Sequence, residues 1–502
     1  MKITVFIIVI LSLFTVHAQT YNLDSSFGNA GTKHYSFGPF HAKHGLLVAD
    51  NYYLLSPNAM SKLNYSGLVD TAFGNNGLKS FTQSGESLTI VNFIFNNDFF
   101  YIFGKVANTS SGDEDIYICK IDSNGVYDTG FGTGGVLKLN FGAQESVRDI
   151  VIEPSGLYCI GTRFVNTPSA SKMIIFKVNN NGTINTAFDL NGYKEISINM
   201  NTIGAAILPY NNSYMLVGST KVSDYIEQIL ITTVDSSGNI LQDFGTSGFK
   251  TIPLVDGGVL SNIVNNLQLS NNVLYINMNE ALYISGGFNR LLAYNLANDQ
   301  IVFKRTFGEY FYHQVENDRI LVTSYCLSCC STNPSSCNNV FNLTQLYLDG
   351  TTDSTFHIDG LYTYEFNYGP PMPNFGDSRS YLFIKDPNEK ILIAGYMYPY
   401  MSSIFSAIKI VEGQLGTGNP EIAKRTVFYP NPVDDKIYLD TDEVPKSVEL
   451  FDLSGRKIAE LKFQYDEGKI SMELSNKIRS GTYLLKIVDI DNHTVMSKII
   501  KR

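Results

Sequence analysis

The sequence predicts an all-β protein in two parts, and three observations carry this prediction. Short stretches of alternating apolar and polar residues recur along the 502 residues, separated by turns rich in Gly and Asn. A motif such as YDTGFGTGG, beginning at residue 127, returns at nearly constant spacing through the first four hundred residues. The last 76 residues differ from the rest in charge density and indicate a separate small domain.

The chain opens with a predicted secretory signal peptide. Lys2 precedes an apolar run from Ile3 to Val16, and small residues ahead of Gln19 suit a signal peptidase, so we assign residues 1–18 to the signal. The run is too short for a permanent membrane span, and no later stretch approaches the roughly 20 apolar residues that a membrane helix needs. The sequence therefore predicts an exported protein with no transmembrane span.

Charge separates the two parts of the chain. The formal net charge of −10 disfavours nucleic acid and acidic membrane surfaces as partners, because both repel a net anion. Residues 427–502 are more densely charged than the rest, with 12 Lys or Arg and 13 Asp or Glu. A stretch rich in Gly, Asn and Pro precedes them. We therefore predict domains at residues 19–413 and 427–502, joined by an exposed linker at residues 414–426.

The recurring motif marks successive units of the first domain. Its phenylalanine occurs at six positions, with spacings of 46, 58, 57, 56 and 112 residues: Phe27, Phe73, Phe131, Phe188, Phe244 and Phe356. Since 112 is twice 56, a degenerate copy is expected near residue 300, at Phe303 or Phe307. The sequence thus predicts seven copies.

Each unit holds about four short strands, separated by turns such as PSG, NNNG and DSSG. Such turns join antiparallel strands, because two-residue hairpin turns need positive φ and select Asn and Gly. A period of about 57 residues with four strands is typical of a β-propeller blade, which buries its faces against neighbouring blades. We therefore predict a seven-bladed β-propeller.

The motif D-x-x-F-G-x-x-G is expected to form a structural corner. Its Asp or Asn can accept hydrogen bonds from nearby backbone N–H groups, its Phe can fill apolar space between blades, and its glycines supply positive φ. Calcium binding by these oxygen-rich turns is the alternative. We expect the ring to close by pairing of the domain's ends, because Leu23–Phe37 supplies a corner with its strand and residues 406–413 supply the strand that this unit lacks.

Over nearly all of residues 20–413, these units resemble the delta-60 repeats of bacterial extracellular propeller-like proteins. The corner motif carries this resemblance. It implies a fold and does not imply a reaction.

Residues 427–502 are predicted to form a small immunoglobulin-like β-sandwich. About seven short strands fit this length, and Ile470, Met472 and Leu474 alternate as the residues of one buried face would. An ordinary accessory sandwich would satisfy this pattern. The sequence itself, however, indicates a more specific role.

This segment resembles the type A C-terminal sorting domain of the type IX secretion system. The resemblance rests on YPNP, LFDLSGRKI, SGTYLLKI and the basic C-terminal end, within which we single out Tyr429, Pro430, Asn431, Pro432, Gly455, Gly481, Tyr483 and Lys501. It implies a transport address that the secretion machinery recognises at the outer membrane. We therefore expect a protein that passes through the periplasm and is then secreted or held at the cell surface.

The cysteines suggest a loop that is cross-linked by disulfide bonds. Four cluster in CLSCCSTNPSSC and are disulfide candidates in an exported protein, with three pairings open: Cys326, Cys329, Cys330 and Cys337. A tetrathiolate zinc site is the alternative, because the first two have CxxC spacing. Cys119 and Cys159 lie in apolar strand contexts and are predicted to be small buried residues.

The sequence offers no assignable catalytic site. It lacks GxSxG, HExxH, a Walker loop and a Rossmann glycine pattern. His34, His41 and His44 form a histidine cluster that could bind a metal, but solvated loop histidines are commoner. We therefore assign no catalytic residue and expect neither a metal nor a cofactor.

Aromatic residues form the candidate binding surface. They concentrate in two Pro- and Gly-rich stretches, as Tyr364, Tyr368, Tyr396, Tyr398 and Tyr400. Tyrosine has an apolar face and a polar tip, which suit a glycan or protein ligand. The alternative is that these rings fill gaps between blades.

The resulting hypothesis is a monomeric, exported recognition or adhesion protein without catalytic activity. The alternative function is a secreted hydrolase or lyase that uses carboxylates at the propeller's central channel, because enzymes also occur on this fold. A deep pocket with converging acids would favour the enzyme.

Overall fold

The structure is a computed structural model, and every regular element in its described residues is a β-strand. The described residues are 20–35, 42–166, 169–189, 191–199, 201–223, 226–253, 259–282, 286–307, 311–324, 340–357, 360–366, 379–397, 404–413, 427–429, 432–440, 444–452, 456–466, 469–475, 478–488 and 494–502. The predicted signal peptide lies outside them. Contacts divide the chain into two units, residues 1–411 and 412–502.

The strands of the first unit are short and follow one another closely. In chain order they are β1 Thr20–Leu23, β2 Thr32–Tyr35, β3 His44–Val48, β4 Asn51–Leu55, β5 Ala59–Asn64, β6 Leu78–Ser80, β7 Glu86–Asn96, β8 Phe99–Asn108, β9 Glu114–Asp122, β10 Val136–Leu139, β11 Gln144–Glu153, β12 Gly156–Asn166, β13 Ser169–Val178, β14 Tyr193–Ile196, β15 Asn201–Tyr210, β16 Ser213–Ser223, β17 Ile226–Val234, β18 Phe249–Pro253, β19 Val259–Ser270, β20 Val273–Leu282, β21 Gly286–Asn295, β22 Gln300–Phe307, β23 Phe311–Val315, β24 Arg319–Ser324, β25 Val340–Tyr347, β26 Leu361–Glu365, β27 Arg379–Lys385, β28 Ile391–Met397 and β29 Ile404–Gly413.

Six sheets of this unit each consist of four consecutive antiparallel strands: β3–β6, β7–β10, β11–β14, β15–β18, β19–β22 and β23–β26. Tight turns join their first two strands. Between β15 and β16, for example, Asn211 and Asn212 have φ angles of 45° and 58°, as a type I′ hairpin turn requires. The Asn and Gly turns of the sequence therefore act as the antiparallel connections that they predict.

A seventh sheet joins the two ends of the unit. It contains β27, β28 and β29 with both β1 and β2 paired to β29, and Thr32 faces Ile408 while Tyr35 faces Phe405. The Lys409 N–H donates to the Gly31 carbonyl at 2.9 Å. The predicted head-to-tail pairing is confirmed, and it pairs β29 on both of its edges, with β28 on one side and with β1 and β2 on the other.

Hydrophobic clusters connect these sheets in a ring. Five clusters of buried side chains each join two sheets that follow one another, from β3–β6 through β23–β26, and a sixth joins β23–β26 to the sheet of β27, β28 and β29. The ring closes where Tyr52 and Leu54 of one sheet pack with Leu382 and Phe405 of the closing sheet. This closed, propeller-like arrangement brings the first strands of successive sheets into contact around the centre, from β7 round to β3.

The repeated motif forms the expected corner. In one copy the Asp70 carboxylate accepts a hydrogen bond from the Ala72 N–H at 3.1 Å, Phe73 is buried, and Gly74 has a φ of 60°. The ring of Phe73 also lies under Gly125, in a turn of the next sheet. The corner thus fixes its own turn and connects neighbouring sheets.

The second unit is a two-layered β structure. Its strands are β30 Val427–Tyr429, β31 Lys436–Asp440, β32 Ser447–Phe451, β33 Lys457–Glu460, β34 Phe463–Asp466, β35 Lys469–Glu473, β36 Gly481–Val488 and β37 Thr494–Lys501. They form sheets in the orders β30-β31-β35-β34 and β33-β32-β36-β37. Ile470, Met472 and Leu474 are buried as their alternation predicts, and they pack with Val448 and Leu485 of the other sheet.

Candidate functional site

A cavity lies where the first strands of six sheets meet. Its volume is about 420 Å³, within the range of small-molecule sites, and residues of β3, β7, β11, β15, β19 and β23 line it. The lining includes the small residues Gly45, Ala205 and Ala206. The ring of sheets therefore encloses a pocket that could hold a small ligand.

Each of these six strands contributes at least one lining residue: His44, Asn92, Asp149, Ala206, Asn266 and Tyr312. A β-bulge immediately precedes three of them, Asn92, Asp149 and Ala206. Bulges bend a strand and re-aim the side chain that follows. Three of the first strands thus share a β-bulge at the cavity, but the side chain that follows the bulge differs from sheet to sheet.

Asp149 supplies the one carboxylate among the described residues that line the cavity. Its two oxygens accept hydrogen bonds from the Ile150 N–H at 2.9 Å and from the Ile207 N–H at 3.0 Å in the next sheet. Burial raises the pKa of this carboxyl to about 7, although the two N–H groups favour its charged form. Asp149 therefore links two sheets and exchanges its proton near neutral pH.

Three more residues of this lining have shifted pKa values: Arg148, His44 and Tyr312. The first two can carry a positive charge. Burial lowers the pKa of the Arg148 guanidinium, which nevertheless stays charged because its ordinary value is so high. Burial, aided by the charge of Lys43, lowers the pKa of His44 to about 4, so His44 is neutral at pH 7. Arg148 therefore supplies the fixed positive charge of the cavity.

The described lining of the cavity does not present the pair of acids that the enzyme alternative requires. Its described lining contains one carboxylate, and two buried carboxylates outside this lining belong to ion pairs. Glu145 lies 3.4 Å from Nε of Arg163, and Asp353 lies 2.6 Å from Nε of Arg319. A glycosidase-type mechanism needs two carboxyl groups on either side of one bond.

Carboxylates of the corners are also paired with cations. Lys62 lies 2.9 Å from Asp70, and Lys120 lies 2.6 Å from Asp128. The hydrogen bond from each lysine holds the pKa of its carboxyl below the usual value. Because a lysine already neutralises each of these carboxylates, the corners favour a structural role over the calcium alternative.

The five candidate tyrosines are not brought together by the described residues. Tyr396 is buried in β28, and its ring lies 5.1 Å from that of Tyr381. Tyr364 is half-buried in β26, with its ring 4.8 Å from that of Phe366 in a core cluster. Both rings fill space between or beside strands. Tyr368, Tyr398 and Tyr400 lie outside the described residues.

The histidine cluster is divided between sheets. His34 belongs to β2, where its Nδ1 lies 2.8 Å from the Ser406 hydroxyl, whereas His44 lines the cavity from β3. His41 lies outside the described residues. Across the parts of the chain that the structure describes, no group of three or more His, Cys, Asp or Glu is arranged to hold a metal ion.

The cysteines have two different outcomes. Cys119 and Cys159 are fully buried and free, as their apolar contexts predict. Burial raises the pKa of the Cys119 thiol to about 12, which makes it unreactive. The disulfide candidates Cys326, Cys329, Cys330 and Cys337 lie outside the described residues.

Several residues of the sorting motif have structural partners within the second unit. The Tyr483 hydroxyl donates to the Arg479 carbonyl at 2.8 Å, and Nζ of Lys501 donates to the Asp434 carbonyl at 2.6 Å. Gly481 begins β36, Tyr429 ends β30, and Pro432 is exposed. Pro430, Asn431 and Gly455 lie outside the described residues.

The sequence reasoning missed Arg148 and Asp149. They stand in SVRDIVIE, where two charged residues interrupt an alternating apolar strand. In the equivalent strand of the next repeat, TIGAAILP, small and apolar residues occupy these places. Aligning the first strands of the repeats would have exposed the difference, because a charged pair facing a core is rare without a partner.

Comparison with known proteins identifies the C-terminal segment. Residues 427–502 match the family model described as "Secretion system C-terminal sorting domain". No curated protein matches this chain in sequence. Within the described residues, no helix has the length and apolar character of a membrane span.

Solved structures with a similar arrangement have little sequence in common with this chain. The WD40 domain of Neurospora crassa Pan2 is 8% identical, with a TM-score of 0.41 over 78% of this chain and 96% of that chain. The Nup133 β-propeller domain of Vanderwaltozyma polyspora is 10% identical, with a TM-score of 0.36 over 77% and 97%. PorZ, a surface component of the type IX secretion system of Porphyromonas gingivalis, is 8% identical, with a TM-score of 0.16 over 94% and 100%.

The matched tail nevertheless assigns a destination to the protein. A type IX sorting domain implies engagement with that secretion machinery and export to the cell surface or the medium. The chain is thus an exported protein with a propeller-like first unit and a sorting domain at its C-terminus.

Proposed function

We propose that the exported protein is a non-catalytic recognition protein whose central cavity binds a ligand. In this proposal residues 19–413 are a monomeric, seven-bladed β-propeller of delta-60-like repeats. The signal at residues 1–18 carries the chain into the periplasm, and the immunoglobulin-like sandwich at residues 427–502 directs it across the outer membrane. The linker at residues 414–426 separates the propeller from the sorting domain.

The observation that carries this proposal is the contrast between corners and cavity. Asp70 and Asp128 occupy the same corner position in two repeats and make the same turn hydrogen bond. At the cavity, by contrast, the first strands of the same two sheets present His44 and Asn92. Structural demands keep the corners alike, whereas a ligand-binding surface needs chemically different groups around one space.

The cavity takes the place of the tyrosine surface in this proposal. Tyr396 is buried and Tyr364 packs on a core cluster, so neither ring presents a free face to a large partner. The cavity instead combines a cation, amides and apolar walls in about 420 Å³. Such a combination suits a small ligand or the end of a glycan chain.

Export and binding are tested separately. Deleting residues 427–502 should leave the passenger in the periplasm, and unchanged delivery to the surface would contradict the sorting role. Binding is tested with glycan arrays and whole cells, using the purified secreted protein. Saturable binding without chemical change of the ligand supports recognition, and release of a cleaved product contradicts it.

The secreted hydrolase or lyase remains the second candidate, and one observation favours it. Asp149 has a pKa of about 7, which suits a group that exchanges protons near neutral pH. If this alternative holds, Asp149→Asn abolishes turnover of a ligand that the wild type converts. If recognition holds, the wild type converts no ligand at all.

A further inference from the structure

We infer that Arg148 binds the carboxylate of a small organic acid inside the central cavity. The inference rests on the recognition function proposed above and names its ligand class. Three features carry it: a cation without a counter-ion among the described residues, a neighbouring carboxylate whose oxygens already accept hydrogen bonds, and apolar walls that suit the body of an organic molecule.

Among the arginines of the first unit whose side chains the structure describes, Arg148 differs from the others in having no partner within the described residues. Arg163 lies 2.8 Å from Glu195, and Arg319 lies 2.6 Å from Asp353. Arg305 donates to the Gly350 carbonyl at 2.8 Å. The half-buried Arg148 lines the cavity, yet within the described part of the chain its guanidinium makes neither an ion pair nor a side-chain hydrogen bond.

Asp149 does not neutralise this charge. Its oxygens already accept the N–H groups of Ile150 and Ile207, and the structure places no ion pair between Asp149 and Arg148. Partial burial removes some of the hydration of this guanidinium, and no group in the described part of the chain replaces it. An anionic ligand in the cavity would supply the missing partner.

The shape of a guanidinium selects the kind of anion. Its planar fork of N–H donors matches the two oxygens of a carboxylate in a bidentate arrangement. One guanidinium also balances one negative charge, so a monoanionic carboxylate fits better than doubly charged sulfate or phosphate. The charge of the site therefore points to a carboxylic acid.

The rest of the cavity suits an organic body on that carboxylate. Leu46, Phe93, Ile150 and Leu267 line it with apolar surface. Burying such surface contributes about 25 cal/mol per Å², a gain that a small inorganic ion cannot obtain. Asn92 places an amide beside this surface, which adds hydrogen-bonding capacity for a polar substituent.

Calorimetric titration of the purified secreted protein tests the inference. The carboxylate probes are benzoate, hexanoate and glucuronate, each compared with its uncharged counterpart benzamide, hexanol or glucose, and with sulfate. We expect at least one carboxylate to bind at a single site, more tightly than its uncharged counterpart and than sulfate. Absence of binding by all three carboxylates, or tighter binding of sulfate than of any of them, would overturn the inference.

Substitutions then locate the binding. Arg148→Gln should weaken carboxylate binding at least tenfold, and Arg148→Lys should weaken it less because it keeps the charge. Lys138→Gln is the matched control, since it removes a positive charge that pairs with Glu86 on the surface. A thermal unfolding curve checks that Arg148→Gln is folded. If the folded variant binds carboxylates as tightly as the wild type does, the assignment is overturned.

The same samples separate this inference from the recognition function. If NMR spectra show that the bound acid is chemically converted, recognition without catalysis fails while the Arg148 site stands. If Arg148→Gln binds carboxylates as the wild type does and retains glycan or cell binding, the site fails while recognition stands.

Discussion

The ring of Phe303 lies against Gly350 of the following sheet, only 2.5 Å from the place where a Cβ of residue 350 would stand. The same contact recurs between Phe27 and Gly67 and between Phe131 and Gly182. Phe303, rather than Phe307, is therefore the corner residue of the degenerate repeat. The contact explains why the motif couples a phenylalanine to a glycine in the next repeat.

This contact predicts that Gly350→Ala is strongly destabilising. Gly350 has a φ of 84°, and Gly134 has a φ of 60° with no atom within 4 Å of an added Cβ. Gly134→Ala should therefore cost only the left-handed backbone penalty of about 1 kcal/mol. Gly350→Ala should cost about 1–3 kcal/mol more, because its methyl group collides with the ring. Urea unfolding measures both, and equal losses would contradict the proposed contact.

The corner carboxylates predict a graded response at Asp128. Asp128→Asn keeps the acceptor for the Gly130 N–H, as Asn185 does naturally in the next repeat, and should cost about 0.5–1 kcal/mol for the lost ion pair with Lys120. Asp128→Ala also loses the acceptor and should cost about 0.5–1.5 kcal/mol more. Thermal unfolding measures the series.

The same experiment addresses calcium at the corners. Adding a chelator should leave the unfolding temperature of the wild type unchanged, because Lys62 and Lys120 already balance the carboxylates of their corners. A fall in that temperature, reversed by added calcium, would contradict the structural role of these corners.

The buried carboxyl of Asp149 predicts a slope of stability with pH. Its pKa is about 7 in the folded protein and about 3.9 in an unfolded chain. Between these values the folded state holds a proton that the unfolded state has lost, so the free energy of unfolding falls as pH rises, by up to about 1.4 kcal/mol per pH unit. Asp149→Asn should remove this contribution.

Urea unfolding from pH 4.5 to 7.5 measures the difference between the wild type and Asp149→Asn. His44 contributes with the opposite sign, because its pKa is lowered to about 4, but that contribution is common to both proteins. The stability of the wild type relative to the variant should therefore decline as pH rises. A constant difference across this range would contradict the raised pKa.

Much of the fold follows from local chemistry that the sequence displays. Asn211 and Asn212 adopt the positive φ angles that their turn demands, and Phe73 is buried as its corner requires. The pairing of Thr32–Tyr35 with Ile404–Gly413 could be predicted because each end of the domain lacks what the other supplies. These features depend on short-range turn geometry and on counting repeats.

The site was harder to predict because it depends on long-range position. Tyr396 looks like a surface residue in a Pro- and Gly-rich stretch, but in β28 its side chain is buried and its ring lies against that of Tyr381 on the neighbouring strand. Arg148 and Asp149 look like residues on the exposed face of a strand. A β-bulge at this point changes the register of the strand, and both residues line the cavity. Sequence alternation does not show which face of a first strand meets the centre of the ring.

The closed ring is tested most directly by a cross-link between its two ends. His34 and Ser406 face each other across β2 and β29, although they are 372 positions apart, and directly opposite residues on antiparallel strands come within reach of a disulfide. The double variant His34→Cys, Ser406→Cys should therefore form an intramolecular disulfide under mild oxidation. Lys33→Cys with Ser406→Cys is the matched control, since successive residues of a strand point to opposite faces.

Mass spectrometry of peptides from the oxidised, monomeric protein reads out the cross-link. The closed ring predicts that positions 34 and 406 are joined in the same molecule, that the control pair stays free, and that oxidation raises stability by up to about 5 kcal/mol for so long a loop. Free thiols at positions 34 and 406, or cross-links formed only between molecules, would contradict the pairing of β2 with β29 and the ring that depends on it.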